Sequence, residues 1–290
     1  MRLSQDQIDH FFAAGYVLVE NALEEADLAP VIQEYEDYIE RRARQLLEAG
    51  AIAQLYADQP FEKRLACICQ EKEEIYLELD IMHFRGRALF EFLRNDNLLD
   101  LVEGLVGPEI TCNPIQHLRP KLPAGLTPAG GDAHVARWHQ DMAVMRAEAD
   151  PHLIVTAWLP LAASTPENGC LQIIPDVAGQ GLLHRHGATL EEGEMPGGEI
   201  LSLPMEKGSV LLLHKETPHA SGINTSDTVR WSMDLRYQRT GTPTGRSFWP
   251  DFVVRSRANP DAVLKDHDTW CRRWVEALEQ RQRIPAYRWS

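Results

Sequence analysis

Hydrophobic and polar positions in the first hundred residues mostly follow a helical period. Residues 4–7, Ser-Gln-Asp-Gln, have the form of a capping box, and Gly15 ends the helix predicted after it. Residues 16–19, Tyr-Val-Leu-Val, favour a short strand. Apolar residues then recur at helical spacing over about 24–48 and again over about 87–106. The N-terminal part is therefore predicted to be mainly helical.

The pattern changes near residue 109, where short β-rich runs separated by turns replace the helical period. Six such runs lie at 110–115, 135–142, 154–159, 171–174, 209–213 and 229–237. Short strands without long intervening helices favour an antiparallel sandwich or barrel. We therefore predict an all-β core with added helices, in a single domain. It comprises a mainly helical part at 1–108, the β core at 109–240 and a C-terminal extension at 241–290 that is helical and polar after Asp261.

Two long segments between the predicted strands carry no periodic pattern. The loop at 122–133 is rich in Gly, Pro and Ala and precedes the first candidate metal ligand. Long loops in compact domains are often functional. His134 and Arg137, beside this loop, either face a substrate or belong to a solvated loop. The segment at 179–203 carries the acidic cluster 191–194, which we interpret as solvated.

Charge and composition restrict the classes of partner. The chain has 290 residues and a formal net charge of −14, which argues against nucleic acid and anionic membrane surfaces because both attract basic patches. A neutral or cationic small-molecule substrate is compatible with that charge. No apolar run is long enough to span a membrane, and the N-terminus lacks a secretory apolar stretch. Together with five sparse cysteines, these features predict a cytoplasmic protein with free thiols.

Two H-x-[DE] pairs are candidates for a metal site. In the motif W-H-Q-D at 138–141, alternation along a strand would point His139 and Asp141 to the same side. One imidazole and one carboxylate are two of the three protein ligands of a 2-His-1-carboxylate site, which leaves open metal positions. The second pair is His214 and Glu216, and His214 is better interpreted as a structural histidine because it follows an apolar run. Spacing alone does not decide between the pairs.

The segment that follows the second pair favours the first. Polar turn formers at 224–227 lie between two β-like runs, so a hairpin centred there would place His219 opposite Arg230 on a shared face. An arginine fork binds a carboxylate through two hydrogen bonds. We therefore interpret Arg230 as the clamp for the distal carboxylate of 2-oxoglutarate, with Ser221 as a further donor. Arg236 is the less favoured alternative.

These motifs together resemble those of the phytanoyl-CoA dioxygenase family of iron(II)/2-oxoglutarate oxygenases. The resemblance extends from residue 4 to about residue 237. It rests on W-H-x-D at 138–141, A-W-L-P-L at 157–161, E-N-G at 167–169, and H-x-S-x-x-N at 219–224 with an arginine eleven residues after the histidine. Each motif alone is common, whereas the combination is specific.

The resemblance implies a fold, a site and a reaction. The fold is a double-stranded β-helix, the jelly roll of cupin-like proteins. The implied site comprises His139, Asp141 and His219 as iron(II) ligands, and Arg230, Ser221, Trp158 and His117 as residues of the 2-oxoglutarate pocket. The implied reaction couples oxidative decarboxylation of 2-oxoglutarate by dioxygen to hydroxylation, or another oxidation, of an unactivated C–H bond in a small molecule.

One departure and two alternatives stay open at this point. Many family members carry Pro-Gly-Ser-His after the E-N-G segment, but here Pro175 is followed by Asp-Val-Ala, so His184 or His186 is the candidate for that histidine's role. A cupin-like metalloenzyme of another reaction type would not require Arg230 in register with His219. A non-catalytic ligand-binding jelly roll would not need to keep all three metal ligands.

Overall fold

The computed structural model describes residues 1–126, 135–280 and 288. The α-helices are α1 (Gln5–Ala14), α2 (Glu25–Glu48), α3 (Phe61–Cys69), α4 (Arg87–Phe92), α5 (Asp96–Val106) and α6 (His267–Gln280). The strands are β1 (Tyr16–Val19), β2 (Glu109–Cys112), β3 (His117–Lys121), β4 (Ile154–Pro160), β5 (Leu171–Ile173), β6 (Leu201–Leu203), β7 (Val210–His214), β8 (His219–Ser221), β9 (Arg230–Arg239) and β10 (Phe252–Ser256).

The strands form two antiparallel sheets whose side chains meet. The larger sheet has the order β1-β7-β4-β9-β2-β10, with β3 also paired to β9, and the smaller has the order β6-β5-β8. Between them, Trp158 of the large sheet packs in one apolar cluster with Leu171 of the small sheet. Lys121 on β3 reaches Ser221 on β8 at 2.8 Å. This is a double-stranded β-helix, so the predicted all-β core with added helices is confirmed.

The N-terminal elements agree with the patterns that predicted them. The Ser4 hydroxyl accepts the N–H of Gln7 at 3.2 Å, and Gly15 ends α1 with φ of 84°. β1 pairs with β7 at the edge of the large sheet, and α2 follows it. The pattern did not indicate α3, which contributes Phe61 stacked on Trp231 of β9 with ring centroids 4.6 Å apart. Helices α1 and α5 also contact strands of the large sheet.

The helix predicted over 87–106 is two helices. α4 ends at Phe92, and α5 begins at Asp96. Asn95 interrupts the period because its side chain accepts the N–H of Leu98 at 3.0 Å and so caps a new helix. Asparagine competes in this way with the continuing backbone pattern.

The strand predicted over 135–142 is wrong in its described residues. His139 makes a single bridge to His219, and a 3-10 helix covers Asp141–Val144. The Gln140 side chain anchors the backbone here: it donates to the carbonyls of Gly181 at 3.0 Å and Glu216 at 2.7 Å. These side-chain bonds take the place of a strand partner.

The predicted hairpin between residues 219 and 230 is also wrong. β8 pairs with β5 of the small sheet, with His219 opposite Ile173. β9 instead pairs with β2, β3 and β4 of the large sheet. The turn at 222–229 therefore crosses from one sheet to the other, and the Asn224 amide holds it by donating to the carbonyls of Lys121 at 3.0 Å and Thr228 at 2.7 Å.

The remaining segments add strands that short patterns did not reveal. β6 lies within the segment predicted to be irregular, and β10 of the C-terminal extension pairs with β2.

The acidic cluster 191–194 is largely exposed, as predicted. All five cysteines are free. Among the described residues, no helix has the length and apolar character needed to cross a membrane. His134 and most of the loop at 122–133 lie outside the described residues.

Candidate active site

Three predicted ligands converge where the two sheets meet. His139 lies beside β8 through its bridge, Asp141 opens the short helix after it, and His219 begins β8. One ligand atom from each lies within 4.8 Å of the other two. The imidazole rings of His139 and His219 are 4.2 Å apart between centroids. His139 and Asp141 do not lie on one strand, and the 3-10 helix that begins at Asp141 buries this carboxylate beside the two histidines.

Backbone carbonyls orient both imidazoles. Nδ1 of His139 is 2.7 Å from the carbonyl of Arg137, and Nδ1 of His219 is 3.0 Å from the carbonyl of Thr217. A carbonyl can only accept, so each Nδ1 carries the hydrogen and each Nε2 keeps its lone pair for a metal. Burial, with the neighbouring His219, lowers the pKa of His139 to about 4. The His139 ring is therefore neutral at neutral pH, as ligation requires.

Asp141 is buried and held by two donors. The Arg236 guanidinium donates to one carboxylate oxygen, and the Thr156 hydroxyl donates to the other. Burial alone would raise the pKa of the Asp141 carboxyl, but the Arg236 charge and His219 hold it well below its usual range. The two histidines and this carboxylate form the mixed donor set that suits iron(II). Arg236 is thus bonded to Asp141, and its guanidinium also pairs with Asp234 at 3.3 Å.

His184 supports the segment that carries the ligands. It is buried, and its Nε2 accepts the backbone N–H of Gln140, between the two ligands, at 3.0 Å. His186 is exposed. Of the two histidines that the sequence leaves as candidates, His184 is the one placed next to the site.

The cluster opens into a cavity of about 560 Å³ between the sheets. A second cavity of about 260 Å³ shares His117, Arg119 and Asp234 with the first and reaches Asp141. The described residues lining the first cavity include all four predicted contacts of 2-oxoglutarate, namely His117, Trp158, Ser221 and Arg230.

Arg230 lies on the cavity wall with unused donors. It is 4% exposed, and among the described residues neither Nε nor Nη1 has a hydrogen-bond partner. Its guanidinium carbon is 5.2 Å from the centre of the Trp158 ring, a cation–π contact that fixes the plane of the fork. Burial lowers the pKa of Arg230 only to about 10, so it is charged at neutral pH. A buried, charged and unpartnered fork is a site for an anion.

Lys121 and Asp80 are site residues that the sequence motifs did not reveal. Lys121, directly opposite Arg230 in the β3–β9 register, donates to the Ser221 hydroxyl at 2.8 Å. Nδ1 of His117 pairs with the Asp80 carboxylate at 2.8 Å. No sequence motif pointed to Lys121, because lysine is normally an exposed residue. Asp80 lies in a helical region far from the motifs in the sequence.

A comparison of the sequence with known protein families identifies the family. The sequence model of the family described as phytanoyl-CoA dioxygenase (PhyH) matches residues 11–232, a span that contains the three clustered ligands and Arg230. The chain belongs to the phytanoyl-CoA dioxygenase family. Membership of this family indicates an iron(II)/2-oxoglutarate-dependent oxygenase, in agreement with the donor set and the anion site.

The compared relatives are distant in sequence. The phytanoyl-CoA dioxygenase domain-containing protein 1 of Danio rerio is 30% identical over 89 residues, which are 27% of this chain and 30% of that protein. The alignment therefore spans less than a third of the relative's length. Among solved structures, the non-heme monooxygenase ThoJ in its apo form has a TM-score of 0.63 at 19% identity over 96% of each chain. The alpha-ketoglutarate-dependent epimerase SnoN from nogalamycin biosynthesis has a TM-score of 0.51 at 19% identity over 84% of this chain and 87% of that chain. These likenesses show a shared fold.

In this member of the phytanoyl-CoA dioxygenase family, Thr156→Val is expected to lower iron(II) affinity by about tenfold, because partners of a ligating carboxylate set its orientation. Valine keeps the shape but removes the donor to Asp141. Anaerobic iron(II) titration measures the change. Thr111→Val is the matched control: Thr111 is a buried threonine of the same sheet, two strands from β4, and it is bonded to Thr240 at 2.9 Å and not to a cluster residue. Equal iron affinities in Thr156→Val and the parent would contradict the role of Thr156.

Proposed function

We propose that this chain is an iron(II)/2-oxoglutarate-dependent dioxygenase that hydroxylates, or otherwise oxidises, an unactivated C–H bond of a small molecule. The observation that carries the proposal is a His-Asp-His cluster whose two histidines line the same cavity as a buried arginine, two of whose nitrogens have no hydrogen-bond partner among the described residues. A metal ion would account for the cluster, and an anionic co-substrate would account for the free donors of the arginine.

His139, Asp141 and His219 would hold the iron(II). Bound iron(II), with 2-oxoglutarate and dioxygen, supplies oxidative decarboxylation to succinate and carbon dioxide and the oxidation of a C–H bond. The protein keeps His139 neutral and Asp141 ionised, so neither residue would have to lose a proton in order to bind the metal.

The cavity wall would hold the co-substrate. Arg230 receives the distal carboxylate in its fork, Trp158 keeps the fork in plane, and Ser221 adds a donor. His117 is already fixed by Asp80 through Nδ1, which leaves its other ring nitrogen for the co-substrate or the substrate. These positions would orient 2-oxoglutarate on the cavity wall.

The two alternatives account for fewer of these observations. A cupin-like metalloenzyme that does not use 2-oxoglutarate has no need of a buried, unpartnered arginine beside its metal. A non-catalytic ligand-binding jelly roll has no need of a neutral histidine and an ionised aspartate oriented at one point.

The test is a succinate-release screen with iron(II), ascorbate and 2-oxoglutarate against panels of small molecules. We expect at least one substrate to stimulate succinate formation in step with an oxidised product. Turnover of a substrate without 2-oxoglutarate would favour the cupin-like alternative. Absence of 2-oxoglutarate binding by the iron(II)-loaded protein would contradict the proposal irrespective of the panel.

The substrate we propose is a free small molecule, such as a natural-product or amine-bearing scaffold, and not a coenzyme A thioester. A net charge of −14 disfavours a multiply phosphorylated carrier. The cavity of about 560 Å³ has the size of a small-ligand pocket and includes the carboxylates of Asp80 and Asp234. SnoN has been solved with Fe3+, alpha ketoglutarate and nogalamycin RO, which is the reason to include natural products in the panel. Succinate release coupled to acyl-CoA thioesters would contradict this substrate class.

Oxygenation without halogenation is expected even in concentrated chloride or bromide. In related iron enzymes that halogenate, a halide takes the coordination position of this carboxylate. Asp141 would fill that position in a bound-iron site and would offset one unit of the metal's charge. Mass spectrometry of the product formed in bromide buffer measures this, and a halogen isotope pattern would contradict it. Asp141→Gly is expected to lose hydroxylation and to bind iron more weakly.

A further inference from the structure

The second cavity, of about 260 Å³, meets the first at the metal cluster. Among the described residues, His139 lines both cavities, Asp141 lines only the second, and Arg230 lines only the first. At about 30 Å³ per molecule in the liquid, the second cavity has the volume of about eight or nine waters, enough for a ring or a side group but not for a large scaffold. A metal ion held by the cluster would therefore border both cavities, and the proposed co-substrate needs only the one that contains Arg230.

Gln116 has an unused hydrogen-bond acceptor in the second cavity. Its side chain is 2% exposed and lines this cavity, and among the described residues its Oε1 has no hydrogen-bond partner. Its Nε2 donates to the carbonyl of Asn113 at 2.6 Å. Because a carbonyl can only accept, this contact fixes which end of the amide is the nitrogen and which is the free oxygen. A buried acceptor without a partner is destabilising, so Oε1 requires a donor from a bound molecule.

The loop that carries Gln116 is held by the same arginine as the metal ligand. The Asn113 side-chain oxygen accepts the N–H of Ile115 at 2.9 Å. The Arg236 guanidinium donates to the Ile115 carbonyl at 3.3 Å and also to the Asp141 carboxylate. The loop and the carboxylate are therefore bonded to one rigid planar group, which sets the position of Gln116 relative to the cluster.

The lining of the second cavity favours a neutral group over a cation. Its apolar residues are Met82, Pro114, Ile115, Val144 and Trp249. Its described charged residues are three arginines, Arg119, Arg236 and Arg246, and two carboxylates, Asp141 and Asp234. Both carboxylates already pair with Arg236, and Asp234 also lies 3.8 Å from Arg119. A bound metal ion would add further positive charge. An ammonium group would therefore be repelled, whereas a neutral O–H or N–H can donate to the free acceptor.

We propose that the second cavity is a substrate subsite and that Gln116 is its specificity-determining residue, whose Oε1 accepts a hydrogen bond from a neutral hydroxyl or amide N–H near the C–H bond to be oxidised. This inference rests on the proposed function and adds a chemical requirement to the substrate. The amine of an amine-bearing scaffold would lie outside this subsite.

Methyl NMR of the full chain, loaded with 2-oxoglutarate and with diamagnetic Zn(II) in place of iron(II), tests the inference. The probes are N-methylbenzamide and methyl benzoate, which differ only in the replacement of the N–H by an oxygen. The amide should bind about tenfold more tightly, because the ester leaves Oε1 of Gln116 without a donor. It should shift the methyl signals of Ile115, which lines the second cavity and not the first. Benzylammonium should bind more weakly than the amide.

Gln116→Met removes the acceptor with little change in side-chain length, and it should bind the amide and the ester with equal affinity. Gln172→Met is the control, because Gln172 is a partly exposed glutamine of β5 that lines neither cavity. Its preference for the amide should match that of the parent.

The parent chain alone can overturn the inference, even if Gln116→Met does not fold. Equal affinity for the amide and the ester would overturn it, as would binding of neither probe. Shifts confined to residues of the first cavity, such as Leu171, would also overturn it. Each of these results leaves the proposed function intact as long as the same protein binds 2-oxoglutarate. A parent chain that binds no 2-oxoglutarate with either metal overturns the proposed function together with the inference.

Discussion

His219→Ala is expected to lower iron(II) affinity by more than about 100-fold and to abolish succinate formation, since losing a ligand costs more than the 10–100-fold typical of losing a partner of a ligand. His219 supplies one of the three clustered ligand atoms, and among the described residues the cluster holds no fourth His, Cys, Asp or Glu that could replace its Nε2. Anaerobic iron titration and succinate assay measure the two effects.

His186→Ala is the control for this change, because it removes an exposed histidine that does not line the cavity. Its iron affinity and turnover should match those of the parent. If His219→Ala bound iron as tightly as the parent, with unchanged turnover, the assignment of the three ligands would be wrong.

Arg230→Ala is expected to raise the apparent 2-oxoglutarate constant by at least about tenfold, because removing one partner of a buried charge pair costs about 2–5 kcal/mol. Iron content should stay nearly intact, since Arg230 forms no bond to the three ligands among the hydrogen bonds and ion pairs of the described residues. Measurement of the 2-oxoglutarate constant and of bound iron in the same preparation separates the two effects.

Arg236→Ala is the contrasting variant. Its guanidinium is bonded to Asp141, so its loss leaves a buried carboxylate with one donor fewer and should impair iron binding or folding first. An unchanged 2-oxoglutarate constant in Arg230→Ala would point to another cation as the clamp, and Lys121 is then the nearest candidate in register.

The sequence by itself identified the residues that supply the three clustered ligand atoms. The W-H-x-D and H-x-S motifs name residues that the structure brings within ligating distance of one another, although the reasons offered for their proximity were wrong. A strand was expected to align His139 with Asp141, and a hairpin was expected to align His219 with Arg230. The helix caps at Ser4 and Gly15 were predicted correctly because a cap depends only on neighbouring residues.

Only the tertiary structure decided which basic side chain bonds to which partner. Arg230 and Arg236 both lie on β9, six residues apart and on the same face, and sequence spacing alone does not tell which one contacts Asp141. Lys121 meets Ser221 only because β3 and β8 belong to different sheets that pack together. Contacts between residues a hundred positions apart depend on strand order and sheet packing, which local hydrophobic patterns do not specify.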